Sequence, residues 1–153
     1  MSRALILSAT LLTLALAGCA ADQRAEPGYA WSYMNNTDEG PKLAYGRPDS
    51  DDVLMMLACA PSSSSVTVTA SGLTGREIAL ASGRTVTRLP AQPAPSDMTD
   101  GLLQARASTD AAALSAFRRT GDLELLVADE RHSLDAAPAQ RGQVKAFFKA
   151  CST

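Results

Sequence analysis

Residues Val53 to Ala70 read VLMMLACAPSSSSVTVTA, and the two apolar halves of this stretch decide the fold. The first half, Val53 to Ala60, is an unbroken apolar run between a turn and Pro61. It is too short for a stable helix of its own and predicts a central strand buried on both faces. Ser62 to Ser65 turns the chain. Val66, Val68 and Ala70 then alternate with Thr67 and Thr69, a period of two that predicts a strand with one wet face.

Upstream, Tyr29, Trp31 and Tyr33 alternate with small or polar residues and predict the first strand of the domain, with Trp31 an anchor in the core or at a sheet edge. Asn35 to Pro41 has the composition of a loop. Lys42 to Tyr45 follows as a short strand ended by Gly46, and Arg47 to Asp52 as a turn. Downstream, Gly72 and Gly75 turn the chain, and Arg76 to Ala81 with Arg84 to Leu89 predict a hairpin around Ser82 and Gly83. Pro90 to Pro95 holds three prolines and is expected as an edge crossing or a loop. Gly101 to Ala107 resumes strand character, with a helix left open by Leu102, Leu103 and the alanines that follow.

Helical spacing enters in the last third. Ala111, Leu114 and Phe117 predict a helix over Asp110 to Arg119, capped by Ser108, Thr109 or Asp110 and stopped by Gly121. Arg118 and Arg119 complement its dipole. Leu123, Leu125 and Val127 alternate into another strand. Val144, Phe147, Phe148 and Cys151 stand at i, i+3, i+4 and i+7, so a final helix over Ala139 to Cys151 carries one apolar stripe. About seven or eight short strands and these two helices make the fold class α+β, mainly antiparallel β, as a sandwich or small barrel.

The sequence offers little raw material for chemistry. Asp49, Asp51 and Asp52 gather three carboxylates, but without the glycine and closing glutamate of an EF-hand loop they read as a solvated turn bonded to local backbone. Met55 and Met56 lack the histidine or spaced methionines of a copper site and read as core. The serines sit in neither G-x-S-x-G nor S-x-x-K. His132, the only histidine, follows Asp129, Glu130 and Arg131 in an expected turn, with no nucleophile or metal placed beside it. No catalytic residue, metal site or cofactor is assigned on these grounds. A hydrolase built from His132, the Asp49 to Asp52 cluster and a serine, or an ion-binding module using the same carboxylates, are the alternatives to a non-enzymatic binding or structural module. With 14 basic against 16 acidic side chains and few aromatics, the chain has no electrostatic footprint for nucleic acid.

The N-terminus carries a different signal. Arg3 precedes Ala4 to Ala17, an uncharged run rich in Leu and Ala, shorter than the roughly 20 apolar residues of a membrane span. It has the shape of an export signal. Its end, Leu16, Ala17, Gly18 and Cys19, resembles the lipobox of bacterial lipoproteins. The resemblance implies cleavage before Cys19, a diacylglyceryl group on its sulfur, acylation of the new amino group, and attachment to a membrane through lipid. Ala20 stands where an aspartate would imply retention in the inner membrane, so the resemblance points to the outer membrane, facing the periplasm. The expected division is a signal peptide over 1–18, a lipidated tether over 19–28, and one globular domain over 29–153, whose partner would be an envelope protein or cell-wall component. An exported chain meets an oxidising compartment, so the remaining cysteines, Cys59 and Cys151, are expected as a disulfide closing 92 residues.

Overall fold

The computed structural model describes residues 22–23, 25–95, 101–128 and 130–152. Among them the fold is α+β and mainly antiparallel, with both helices in the C-terminal third. The strands are β1 (Asp22–Gln23), β2 (Ala30–Asn36), β3 (Gly40–Gly46), β4 (Val53–Ala58), β5 (Ser65–Ala70), β6 (Glu77–Ser82), β7 (Thr85–Pro93), β8 (Leu103–Ser108), β9 (Glu124–Val127) and β10 (Glu130–Ser133). The helices are α1 (Ala112–Thr120) and α2 (Arg141–Ser152), the latter entered through a 3-10 turn, Pro138–Gln140. The strands hydrogen-bond in the order β1-β10-β9-β6-β7-β8-β5-β4-β3-β2 and curve into a half-barrel rather than a two-sheet sandwich. Among the described residues only β1 with β10 is parallel. That pair sets Asp22 and Gln23, within the stretch expected as tether, beside Arg131 and His132.

β7 joins the two halves of the sheet. Thr85 to Pro90 pairs with β6, while Ala91 to Pro93 pairs with β8. Ala91 still donates its N–H to the Arg76 carbonyl on the β6 side at 2.8 Å, so the two pairings meet at Pro90 and Ala91. The segment expected as an edge crossing or a loop is instead strand as far as Pro93, inside the sheet between β6 and β8. The β6–β7 turn falls on Gly83 and Arg84, with Gly83 at φ 58°, the position that a two-residue II′ hairpin gives to glycine.

Other expectations change in detail. β4 is buried on one face only: Met55 and Leu57 point inward, while Leu54, Met56 and Ala58 are half-exposed. It lies third from the β2 edge, and the strand buried along both faces is β6, from Ile78 to Ser82. The two helices explain this, since α1 packs on β6 and β7 and α2 on β2 and β3, leaving the outside of β4 uncovered. The loop expected at Asn35 to Pro41 shrinks to 37–39, because Asn35 pairs with Pro41 and Asn36 with Gly40. Pro41 serves the sheet as an acceptor, taking the Cys59 N–H at 3.1 Å.

None of Ser108, Thr109 and Asp110 caps α1. Its N-cap is Ala111, and the orphan N–H of Ala113 goes across the core to Thr87 Oγ1 on β7 at 2.9 Å. The other end is as expected: Gly121 takes φ 83° and donates its N–H to the Phe117 carbonyl. On α2 the stripe of Val144, Phe147, Phe148 and Cys151 is fully buried. Cys151 bonds Cys59 just past β4, with the Cα atoms 5.8 Å apart.

All seven aromatic residues join one series of ring contacts: Tyr29, Tyr45, Trp31, Phe117, Phe148, Phe147 and Tyr33. It runs from the start of β2 through both helices and back to β2. Trp31 also donates its indole N–H to the Leu134 carbonyl at 2.6 Å, joining one edge of the sheet to the segment that follows β10.

Candidate functional site

β10 and the residues leading into β2 bound a cavity of about 370 Å³ at one end of the half-barrel. Leu54, Leu73, Leu125 and Leu134 give it an apolar lining, and Glu26, Tyr29 and His132 supply polar groups. An apolar hollow of this size with a few polar groups is the usual form of a small-molecule site. It is assembled from five separate segments, because the turn after β5, the β9–β10 hairpin and the entry to β2 all meet there.

Tyr29 is its best-defined polar group. The phenol donates to Asp52 Oδ2 at 2.5 Å, and Arg47 Nε lies 3.2 Å from the same oxygen. The Arg47 guanidinium stands 5.3 Å over the Tyr29 ring. Donation to the Asp52 carboxylate holds the Tyr29 phenol above its ordinary value, with Arg47 pulling the other way. Tyr29 is therefore a fixed, protonated donor at neutral pH. Behind it, Tyr45 is buried, and its hydroxyl has no hydrogen-bond partner among the described residues. Burial raises the Tyr45 phenol, reinforced by the negative charges of Asp135 and Glu26.

The turn from Arg47 to Asp52 is built differently from the expected one. Ser50 makes the local backbone bonds, donating to the Arg47 carbonyl and accepting the Asp52 N–H, which frees the Asp52 carboxylate for Tyr29. Among the described residues no three His, Cys, Asp or Glu side chains converge as a metal-ligating set.

His132 stands in β10 rather than in a turn, because β9 pairs with it on one side and β1 on the other. It lines the cavity with Tyr29, so the structure brings the histidine and the Asp52 turn to the same end of the molecule. His132 Nε2 lies 3.7 Å from Glu130, and the nearby serines are engaged elsewhere. Ser71 donates to the Val53 carbonyl, and Ser133 Oγ accepts the Asp135 N–H. Cys19 lies outside the described residues, as does Asp129.

The sequence reading missed the cavity and the Tyr29, Arg47 and Asp52 cluster. The available clue was Asp52 and Arg47 flanking a tight turn opposite an aromatic strand. The chain matches no protein-family model, no curated protein and no solved structure.

Proposed function

We propose that the chain is a lipid-anchored envelope protein, held at the outer membrane through Cys19, whose β-rich domain is a non-enzymatic binding module facing the periplasm. The disulfide between Cys59 and Cys151 carries this reading. Structural disulfides persist where the compartment is oxidising, which is where an export signal would deliver the chain. The bond also leaves Cys19, at the end of the apolar run, as the one cysteine available for lipid. Among the described residues no helix is long and apolar enough to cross a membrane, so in this reading the acyl groups provide the attachment. The cavity beside Tyr29 supports a binding role for the domain.

The test is the intact mass and fractionation of the protein from its own host. The expected product lacks residues 1–18, carries acyl groups, partitions with membranes and loses both the acyl groups and the partitioning in Cys19→Ser. Recovery from the cytosol with the leader attached and both other thiols open to alkylation overturns the reading. The hydrolase alternative is tested by assaying ester and cell-wall substrates. Turnover abolished in His132→Ala would replace the binding module with an enzyme.

A further inference from the structure

A second hollow, of about 730 Å³, lies between the β2–β3 hairpin and the β4–β5 turn and opens across the outer face of the sheet toward β8. Its walls are fixed by the backbone. Gly40, at φ 72°, lets the root of the hairpin approach β4 so closely that an added Cβ would stand 3.0 Å from the Cys59 carbonyl oxygen. In the opposite wall Ser62 and Ser64 take φ of 58° and 50°. Distant elements hold that turn: the Ser64 N–H donates to the Cys151 carbonyl near the end of α2, and the Ser64 carbonyl accepts the Thr109 N–H ahead of α1, each at 3.0 Å. A wall pinned to both helices needs little further ordering when a ligand arrives.

The charges of the hollow are divided between its two ends. At the hairpin Glu39 pairs with Lys42 at 3.1 Å, and Lys42, then Asn36, hold its carboxyl below the ordinary value. Asp38, beside it, has no ion pair or hydrogen bond among the described residues, and neither has Arg106 on the β8 wall. Lys42, Ala58, Thr67 and Arg106 are successive cross-strand partners, so Arg106 stands three strand spacings from β3, roughly 14 Å at about 4.8 Å each. The strands between present only short side chains to the hollow, Ala58, Ser65 and Thr67.

An uncompensated anion and cation at opposite ends select a ligand that carries both charges in the reverse order. A polyanion would meet Asp38, and a polycation Arg106. None of the lining residues is aromatic, since all seven rings of the chain join the series through the core, so nothing here stacks on a sugar or a base. An extended tripeptide spans about 10 Å at roughly 3.3–3.6 Å per residue, and the Arg106 side chain can reach across the remainder. We infer that this hollow binds a short zwitterionic peptide of about three residues, its ammonium at Asp38 and its carboxylate at Arg106. The site is separate from the cavity beside Tyr29 and uses no part of the proposed anchor.

The full chain is purified in neutral detergent and titrated by calorimetry with trialanine, N-acetyltrialanine, trialanine amide and maltotriose. Trialanine should bind, and blocking either terminus should weaken it about tenfold. Arg106→Gln should bind trialanine and its amide alike, and Asp38→Asn should bind trialanine and its acetylated form alike. Both side chains are exposed, so melting temperatures should not change. The blocked peptides also read the unaltered chain, which keeps the test decisive if a variant fails to fold. No binding of trialanine at millimolar concentration, equal binding of free and blocked peptides, equal binding of maltotriose, or discrimination unchanged in either variant overturns the inference. Each of these failures leaves the anchor and the cavity beside Tyr29 standing, since neither contributes to the measurement.

Discussion

Tyr45 places a phenolic oxygen in the core between Tyr29 and Trp31 with no hydrogen-bond partner among the described residues. An unpaired buried hydroxyl costs about 1–3 kcal/mol, and phenylalanine fills the same space without it. Tyr45→Phe is therefore expected to raise the urea midpoint without changing the slope of the transition. Its phenol and that of Tyr29 also set an alkaline limit. Both ionise above the ordinary value of 10 in the folded chain, Tyr29 because it donates to Asp52 and Tyr45 because it is buried. Above pH about 10 an unfolded tyrosine has released its proton while the native ones still hold theirs, so stability is complete below that pH and falls as pH rises through the folded values. An ultraviolet titration of the native phenols should show two late-ionising groups. Thermal melts should fall less steeply at alkaline pH in the Tyr29→Phe, Tyr45→Phe double variant, and an identical decline in both proteins contradicts the assignment.

At the scale of elements, two glycines at the α1–α2 junction should respond in opposite senses. Gly121 ends α1 at φ 83°, a conformation that costs an alanine about 1–2 kcal/mol, whereas Arg141 above it can swing aside. Gly142 lies inside α2 with open space at its Cβ, so Gly142→Ala should stabilise by about 0.5–1 kcal/mol. Denaturant midpoints of the two variants check both signs. Gly121 was legible in the sequence, as were both helices, the stripe on α2, the β6–β7 hairpin and the cysteine pairing, because each is written in spacing or in a strong local preference. What escaped depends on partners distant in the chain. Glu130 to Ser133 is polar enough to pass for a turn and is a strand because β9 and β1 flank it. The apolar outer face of β4 imitates a buried strand, since composition does not reveal whether a helix covers it. The site was less legible than the fold, since Tyr29 and Asp52 are 23 residues apart.

For the whole molecule, the half-barrel leaves an open seam between the strand edges, and side chains hold it where a closed barrel would use a backbone ladder. Trp31 is the main fastening. It is 1% exposed, its ring touches Tyr45 and Phe117, and its N–H reaches the Leu134 carbonyl across the seam. The same opening forms the cavity, lined by Leu134 two residues beyond His132, so the stability of the seam and the shape of the candidate site are one problem. Trp31→Phe keeps an aromatic ring in the series but leaves the Leu134 carbonyl unpaired and the space of the indole partly empty. The expected loss is about 2–4 kcal/mol, the upper part of it from the cavity left behind. Circular dichroism should follow the unfolding, since the only tryptophan is gone. Amide exchange should then quicken at Leu134 and the residues of β10 before it quickens in β5 and β8, whose pairing lies far from the seam. Uniform loss of protection across the sheet would show instead that Trp31 supports the core as a whole and that the seam has no separate weakness.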